Sequence, residues 1–465
     1  MNGDLRDTLK GILHVGMGNV LKVLSGVLVG FALPALLSVN EYGFVRTCTL
    51  YATYVGLFST GLIDGLALRF GGTELAALER APFRRYSRCF LLLEGLFALG
   101  LCLAGLLCGG GDAGFALVWL AVFLLTNNIT SFCQTLSQIT GRFRELSRFT
   151  QLQSLLSAAT VGLLWLGSGA GLWRMDARAY LLLYTLGNLT VMLLYLFRWR
   201  ELVLGEAASL RQEGSALRRL IRTGVPLMLA NLCTLLILSA DRQCVNVLCD
   251  TATYAVYAFA YNIVTMITMV IAAVSTVLFP TMKRMDRERL LAAWPGLITG
   301  IPLLVFLCLA VYFPLVPFIG RFLPAYTGAL STLRIVFPGL AASSAVTIVV
   351  HNYDKTLGLS DRFCLQSMAV LALSVLADLA VWAAFRTTAA ISVASVAVLL
   401  LWYLITAGTL RRRFGLTVLP GLAALLCGTG LFYLCTMPGV PLWLGFLLQL
   451  GLPAAALLRL RGRLR

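Results

Sequence analysis

Charged side chains are scarce in this sequence of 465 residues: Asp, Glu, Lys and Arg together make up 12% of it. Soluble globular domains carry about 25%. Apolar residues account for 59% of the chain. Runs of roughly 20 such residues, each long enough to cross a bilayer core of about 30 Å, recur along its whole length. The composition excludes a soluble globular protein and predicts an all-α, polytopic membrane protein.

The side-chain sets of enzymes and metal sites are also missing. The chain has only 2 histidines, and its 12 cysteines show no metal-ligand spacing, so most of them act as small hydrophobic residues. We find no phosphate-binding loop, no carboxylate pair at helical spacing within a span, and no Ser, His and acid set. We expect no enzymatic activity, no cofactor and no bound metal, and leave coupling to H⁺ or Na⁺ open.

Acidic residues are outnumbered, with 20 Asp and Glu against 37 Lys and Arg and a net charge of +17. Most of the basic residues fall in alternate loops between the predicted spans. The opposite loops hold only Arg174, Arg178, Arg321 and Arg386. This pattern follows the positive-inside rule and predicts that both termini lie in the cytoplasm. The basic charge reflects topology, and we expect no nucleic acid partner.

Hydropathy divides the chain into about fourteen predicted transmembrane spans. These spans cover residues 12–39, 43–70, 89–107, 115–140, 150–170, 179–197, 224–248, 254–279, 293–319, 329–352, 363–384, 388–410, 416–435 and 442–459.

The longest cytoplasmic loop divides the predicted spans into groups. It predicts an N-terminal six-helix lobe with its linker in residues 1–222, a second six-helix lobe in residues 223–412, and an additional two-helix hairpin in residues 413–465. The first hairpin of each lobe has a similar outer turn, at residues 40–44 and 252–256. We therefore predict two pseudo-symmetric lobes related by an axis along the membrane normal.

Cations within the predicted spans are candidates for binding an anionic substrate, because polar groups at membrane depth are functional candidates by default. Lys22 lies about ten residues into the first span, near 15 Å deep at about 1.5 Å per residue. A cation there costs roughly 3 kcal/mol or more unless it faces water or a partner. Arg46 and Arg334 lie nearer the outer surface, one in each predicted lobe. The alternative for these cations is snorkelling to the headgroups.

A row of polar residues marks the fourth predicted span. Asn127, Thr130, Ser131, Gln134 and Gln138 recur on one face of a helix, and the apolar residues of the span fall on the other. Amide and hydroxyl groups in register favour a wall that faces water. The alternative is hydrogen bonding between helices, worth around 0.6 kcal/mol per contact.

The seventh and eighth predicted spans carry a charged pair and a tyrosine stripe. Tyr257 and Tyr261 offer flat apolar faces and hydroxyl groups that suit sugar rings, whereas Tyr254 is expected in the interfacial aromatic belt. Adjacent residues on a helix point about 100° apart, so Asp241 and Arg242 are not expected to pair with each other. We expect Arg242 to face either substrate or a neighbouring segment, and Asp241 to be structural.

Four carboxylates lie within predicted spans and could couple transport to H⁺ or Na⁺. They are Asp64, Glu94, Asp241 and Asp378. Asp64 and Glu94 lie near inner ends, where ion pairs with Arg69 or Arg88 are the alternative.

Several short motifs resemble those of the oligosaccharide flippases, the polysaccharide biosynthesis proteins of the MATE-like (multidrug/oligosaccharidyl-lipid/polysaccharide) transporter superfamily. The resemblance rests on the Gly-x-Pro and Asp-Arg of the seventh span, the Tyr-x-x-Tyr-x-x-Ala-Tyr segment and closing Pro of the eighth, and the turn of the first hairpin. These residues are Gly224, Pro226, Asp241, Arg242, Tyr254, Tyr257, Ala260, Tyr261, Pro280, Glu41, Tyr42, Gly43, Gly61, Ala67 and Arg69, with Ala325–Ala329 as a further similar loop. The turn at Phe385–Thr388 lacks the family's usual glycines, and the cations of the spans match in kind but not by motif.

The resemblance implies a flippase in the bacterial cytoplasmic membrane. Its substrate would be an oligosaccharide on undecaprenyl diphosphate, moved to the outer leaflet by alternating access for surface polysaccharide biosynthesis. It implies as partners this lipid-linked oligosaccharide, membrane lipids, a polysaccharide polymerase and glycosyltransferases. The substrate-binding residues expected on this basis are Lys22, Arg46, Asn127, Ser131, Gln134, Gln138, Arg242, Tyr257, Tyr261 and Arg334.

Three other functions stay open from the sequence. The first is a flippase for a peptidoglycan lipid precursor. The second is a multidrug or cation antiporter of the same superfamily, against which fourteen spans and a cationic cavity count. The third is a non-transporting scaffold for envelope assembly.

Overall fold

A computed structural model of the chain describes residues 21–283 and 285–464. The residues in these two ranges form helices and connecting segments, with no β-strand among them. The α-helices are α1 (Leu21–Leu36), α2 (Val39–Ala52), α3 (Leu62–Phe70), α4 (Arg80–Leu107), α5 (Asp112–Ile139), α6 (Phe143–Gly169), α7 (Ala177–Arg198), α8 (Arg200–Val203), α9 (Leu210–Ile237), α10 (Ala240–Leu248), α11 (Thr251–Lys283), α12 (Arg287–Cys308), α13 (Tyr312–Phe322), α14 (Ala329–Ser344), α15 (His351–Thr356), α16 (Ser360–Phe385), α17 (Thr388–Phe414), α18 (Leu419–Cys435) and α19 (Leu442–Leu464).

The all-helical prediction is confirmed, and helix lies within each predicted span. Within the described ranges, 11 helices are long and apolar enough to cross a membrane, and Leu21–Leu36 and Leu419–Cys435 are shorter apolar helices. Fourteen crossings and cytoplasmic termini remain predictions.

Side-chain caps fix where several helices begin. Ser38 and Glu41 form a reciprocal capping box at the start of α2, where each side chain bonds the backbone N–H of the other. In the loop before α11, Asp250 accepts hydrogen bonds from the hydroxyl and the backbone N–H of Thr253, at 2.6 and 3.0 Å. These two bonds favour the ionised form and hold the pKa of Asp250 below its usual value.

The second predicted span is not one helix. A 3₁₀ segment, Val55–Ser59, separates α2 from α3, and Thr60 and Gly61 follow in the left-handed region with φ of 53° and 77°. The reason is a close crossing with α9: a Cβ on Gly61 would lie 2.6 Å from the backbone N of Val225. Glycine meets both demands, the left-handed backbone and the absence of a side chain.

The seventh, ninth and tenth predicted spans are also irregular. The seventh divides at Leu238 and Ser239 between α9 and α10, and α9 begins well before the predicted start, at Leu210. In the ninth, a 3₁₀ turn at Leu309–Val311 separates α12 from α13, and Gln449 of α19 donates to the carbonyl of Phe306 at 2.7 Å. In the tenth, a π-helical segment at Ala345–Val350 joins α14 to α15. Apolar periodicity does not report such local changes of winding.

The chain divides into two compact units, Met1–Leu232 and Cys233–Arg465. The core of the first unit contains Phe90 stacked on Phe132, together with Leu136 and Tyr195. The predicted lobes 1–222 and 223–412, their pseudo-symmetry and the separate hairpin 413–465 remain predictions.

The second unit buries large aromatic side chains. Trp294, Tyr353, Trp402 and Tyr403 are fully buried in it. Its last helices, α18 and α19, pack against α12. Gly428 allows this approach, because a Cβ there would collide with the ring of Phe306.

Candidate functional site

The carboxyl group of Asp241 lies at the centre of a buried polar cluster in the second unit. The side chain is 1% exposed. Its Oδ2 accepts hydrogen bonds from the hydroxyls of Tyr257, at 2.8 Å, and of Tyr261. Its Oδ1 accepts from the backbone N–H of Arg242 at 2.7 Å. The carboxyl group is therefore buried and accepts three hydrogen bonds, as buried polar groups require.

Three helices position these groups. The interruption at Ser239 starts α10 so that Asp241 lies in its first turn, facing α11. Tyr257 and Tyr261 are four residues apart on α11 and therefore share a face. Ser392 of α17 donates to the Tyr257 hydroxyl at 3.2 Å, which extends the cluster to a third helix.

Asp378 of α16 supplies a second buried carboxyl group beside the first. It is 1% exposed, and neither of its oxygens has a hydrogen-bond partner in the described part of the chain. It lies close enough to Asp241 to interact with it electrostatically, and the thiol of Cys244 lies near both. Two ionised carboxylates that interact in this way repel each other, so binding of a proton or a monovalent cation by either of them relieves the repulsion.

The guanidinium of Arg242 lies close enough to the carboxyl group of Asp241 to attract it, and it also contacts two other groups. It lies over the ring of Tyr261, 5.0 Å from the centroid, and donates to the carbonyl of Leu238 at 3.1 Å. That carbonyl is freed by the break between α9 and α10. Of the two orientations left open by the sequence, Arg242 thus takes the one towards neighbouring protein.

The tyrosines of α11 are buried inside protein. Tyr254 and Tyr257 are each 2% exposed and Tyr261 is 7% exposed. The interfacial-belt prediction for Tyr254 is therefore wrong. Tyr257 and Tyr261 use their hydroxyls on Asp241, and their rings offer no open face for a sugar.

The predicted polar row lies on α5 of the first unit. Asn127, Ser131 and Gln134 are half-buried and Gln138 is exposed, whereas Thr130 is only 4% exposed. The apolar residues on the other side of α5 are in the core of the unit. A membrane helix thus carries its amides and hydroxyls on its more accessible face. The structure brings these four accessible residues together on one helix.

The three predicted cations of the spans lie on three different helices. Lys22 is exposed on α1 and makes no ion pair with the described residues. Arg46 is half-buried and donates to the hydroxyl of Tyr42 at 2.7 Å. Arg334 is half-buried and donates to the hydroxyl of Thr436 at 3.2 Å. Each arginine thus has a hydroxyl group among its hydrogen-bond partners.

The two ion pairs considered as alternatives for the inner acids do not form. Arg88 donates to the carbonyl of Gly205, and the guanidinium of Arg69 lies over the ring of Phe70. Glu94 is fully buried and accepts from Asn128 at 2.9 Å, and Asp64 is half-buried.

Sequence reasoning identified Asp241 and Asp378 as buried acids but not as neighbours. It missed Ser392 entirely. The sequence shows that Asp241 and Asp378 are each an isolated acid in an apolar run. That they lie near each other and near Ser392 follows only from the packing of α10 on α16 and α17.

Comparison with known proteins places the chain in context. The profile of a family described as "Polysaccharide biosynthesis protein" matches residues 8–286. No curated protein sequence matches the chain.

Similarity to solved structures is extensive in coverage but low in identity. A lipid II flippase MurJ in an inward closed conformation is 12% identical, with a TM-score of 0.60, covering 98% of this chain and 100% of that one. A multidrug resistance MATE family transporter of the MOP superfamily, inward-facing, is 12% identical with a TM-score of 0.63, covering 89% and 99%. A MOP superfamily transporter from Pyrococcus furiosus is 13% identical with a TM-score of 0.58, covering 89% and 96%. These similarities establish the type of fold.

Proposed function

The chain belongs to the polysaccharide biosynthesis protein family, and from this premise we propose that it is a flippase for a lipid-linked oligosaccharide. The substrate carries its sugars on a diphosphate of the undecaprenyl type. The protein moves this headgroup from the cytoplasmic to the outer leaflet of the bacterial cytoplasmic membrane, for surface polysaccharide biosynthesis. It acts by alternating access and without catalysis.

The observation that carries this proposal is the accessible polar face of α5. Sugar hydroxyls need donors and acceptors, and Asn127, Ser131, Gln134 and Gln138 supply both in one row. Exposed amides in lipid are costly, so a helix that presents them has a use for them. The apolar opposite face in the core supports the assignment of the row to substrate.

Cations at membrane depth suit the diphosphate. Lys22 is exposed, and the guanidinium groups of Arg46 and Arg334 each donate to a hydroxyl group. Guanidinium groups bind phosphate oxygens in a planar, two-pronged manner, and an ammonium acts as a point charge. Arg242, packed over Tyr261, supports Asp241 in this proposal, and Tyr257 and Tyr261 act with it.

The energy source in this proposal is a gradient of H⁺ or Na⁺ acting at Asp241 and Asp378. The ligands that this cluster provides are carboxyl and hydroxyl oxygens, which suit a proton or a hard monovalent cation. Occupation by one positive charge removes the repulsion between the carboxylates, so the cluster has two states that differ in charge.

A second candidate substrate is a peptidoglycan lipid precursor. Its support is the similarity to the lipid II flippase over 98% of this chain, including the terminal helices. A multidrug or cation antiporter has structural relatives that cover about nine-tenths of the chain, 89% for the inward-facing transporter.

Reconstituted vesicles test the proposal. The full-length protein is placed in vesicles that contain an undecaprenyl-diphosphate oligosaccharide, lipid II or a cationic dye, and appearance of each compound on the opposite side is measured. We expect movement of the oligosaccharide, and loss of it in Gln134→Ala and Ser131→Ala. Thr190→Ala, which removes an exposed hydroxyl bonded only within α7, is the matched control. Faster movement of lipid II would favour the second candidate. Movement of the dye alone, or of nothing, would contradict a flippase.

A further inference from the structure

Glu94 is a buried acid in the first unit that the proposed transport path does not use. It lies on α4 and is 0% exposed. Its Oε2 accepts one hydrogen bond, from Nδ2 of Asn128 on α5 at 2.9 Å. Its Oε1 has no hydrogen-bond partner among the described residues. One neutral donor does not stabilise a buried carboxylate, whereas a carboxylic acid needs far less solvation.

The amide of Asn128 is shared between Glu94 and the interruption of the second span. The same Nδ2 donates to the carbonyl of Val55 at 2.9 Å. Val55 is the first residue of the 3₁₀ segment between α2 and α3. Asn128 is 1% exposed, so both of its N–H groups are committed to these two acceptors.

The other ionisable groups on α4 and on the elements packed against it are engaged elsewhere. Arg84, Arg85 and Arg88 donate to backbone carbonyls within residues 201–208, and Tyr86 donates to Glu213. Asp112 pairs with Arg178, Glu201 pairs with Arg80, Arg200 lies over Phe197, and Cys133 is in the apolar core, while Val55–Ser59 contains no ionisable residue. Cys89 and Cys102 of α4 are half-buried thiols. The part of the chain that the structure describes thus provides no cation that pairs with Glu94, and a proton is the ligand that fits.

A third amide connects Glu94 to the accessible face of α5. Nδ2 of Asn127 donates to Oδ1 of Asn128 at 3.2 Å. Asn127 is half-buried and belongs to the polar row. A group that binds Asn127 therefore acts on the orientation of the amide that Glu94 and Val55 share.

We propose that Glu94 is a proton-binding site whose occupancy controls the helix interruption at Val55–Ser59 through the shared amide of Asn128. When the proton leaves for water, the carboxylate becomes the stronger acceptor, because hydrogen bonds to charged groups are roughly twice as strong as neutral ones. Asn128 then shifts towards Glu94, and the carbonyl of Val55 loses its donor. When the proton returns, Asn128 again holds Val55. This site is independent of the Asp241 cluster, and its test does not depend on transport of any substrate.

Infrared titration of the purified full-length protein in lipid nanodiscs tests proton binding. The carbonyl stretch of a buried protonated carboxyl group is expected in the wild type and is lost in Glu94→Gln. Asp64→Asn, a change to a half-buried acid of the same unit, leaves the signal in place. If Glu94→Gln removes no protonated-carboxyl signal at any pH, the proton site is refuted.

Thiol labelling tests the connection to the helix interruption. Leu57→Cys places a thiol in the 3₁₀ segment and Leu172→Cys places one in an exposed loop of the same unit, and peptide-resolved mass spectrometry separates both from the native cysteines. We expect the ratio of the two labelling rates to change several-fold with pH in the otherwise wild-type protein. The ratio stays constant in combination with Glu94→Gln and with Asn128→Ala. An equal pH dependence in all three backgrounds would overturn the control of the interruption by Glu94.

Glu94→Gln has the size and neutrality of the protonated side chain and is expected to fold. Asn128→Ala separates proton binding by Glu94 from control of the helix interruption. It keeps the infrared signal of protonated Glu94 but abolishes the pH-dependent labelling ratio. Loss of both signals in that variant would mean that Asn128 determines protonation itself, which contradicts the proposed order of events.

Discussion

The hydroxyl of Tyr257 donates a 2.8 Å hydrogen bond to Oδ2 of Asp241, from one helix to the next across the turn that joins them. Both residues are buried. A hydroxyl aimed at a carboxyl group away from water strengthens the interaction, because the low local dielectric screens it little. The pair holds α10 against α11 and keeps an ionisable group inside the second unit.

Asp241→Asn is expected to uncouple transport from its driving gradient. The amide keeps the size of the side chain but removes the charge that a proton or Na⁺ balances. The rate under an imposed gradient should fall to about the rate measured without a gradient, because the ionisable group that the gradient acts on is gone. Vesicle transport with and without a gradient measures this. Asp250→Asn, in the exposed loop before α11, is the matched control and should transport normally.

Asp241→Ala is expected to destabilise the protein in addition. It leaves the buried hydroxyls of Tyr257 and Tyr261 without their acceptor, at a cost of about 1–3 kcal/mol for each unsatisfied group. Thermal unfolding of the purified protein in detergent measures the loss. An unfolding midpoint equal to that of Asp241→Asn would show that the hydroxyls find other acceptors.

Lys22→Ala is expected to abolish export while the protein stays in the membrane at normal level. The exposed ammonium has no carboxylate partner among the described residues, so its loss should remove the proposed phosphate-binding charge and no structural ion pair. Surface polysaccharide and membrane-fraction protein are measured side by side. Arg289→Ala, which removes an exposed cation of α12, should export normally. Normal polysaccharide in Lys22→Ala at equal expression would remove Lys22 from the site.

Gly224→Ala is expected to prevent the close approach of α9 to α3. An added Cβ would collide with the carbonyl of Gly61 and lie 2.5 Å from the backbone N of Gly65, and backbone cannot move aside as a side chain can. We expect a loss of about 1–3 kcal/mol in stability, typical of overpacking.

Gly162→Ala on α6 is the matched control for that change. A Cβ there meets no atom within 4 Å. Alanine in a helix interior should stabilise by roughly 0.5–1 kcal/mol relative to glycine. The two variants should therefore shift the thermal unfolding midpoint in opposite directions, and shifts of the same sign would contradict the close crossing.

Reporter fusions test the predicted orientation. A reporter inserted within residues 108–114, between α4 and α5, should report the outside of the cell. One inserted within residues 204–209 should report the cytoplasm, because the flanking segments are rich in arginine. The reverse pattern would overturn cytoplasmic termini.

Apolar runs were sufficient to predict the helices but not their interruptions. The second span carries no charged residue from Val55 through Leu62, so hydropathy averaged over the span does not mark the break at Thr60 and Gly61. The break depends on Gly224, which is distant in sequence and approaches Gly61 only after folding. Local periodicity contains no information about such a partner.

The sequence predicts which types of residue form the site but not which residues contact one another. The polar row on α5 was evident because it repeats with the helix, and its apolar opposite face did enter the core. The sequence leaves an ion pair with Arg88 as an alternative for Glu94, but the guanidinium of Arg88 instead donates to the loop carbonyl of Gly205. Tyr254 was expected at the interface because tyrosine is common there, yet it packs inside the second unit. These outcomes depend on packing between helices far apart in sequence.

The crossing of Gly61 and Gly224 also sets an order for biogenesis. The interrupted second span enters the membrane before its partner exists, since Gly224 is translated about 160 residues later, or roughly 10–30 s at ~5–20 residues per second. During that interval the left-handed backbone at Thr60 and Gly61 lacks the neighbour that packs against it. The first unit therefore cannot complete the packing of α3 until α9 has been translated. Chaperones and insertases that shield incomplete membrane bundles would act on this protein within that window.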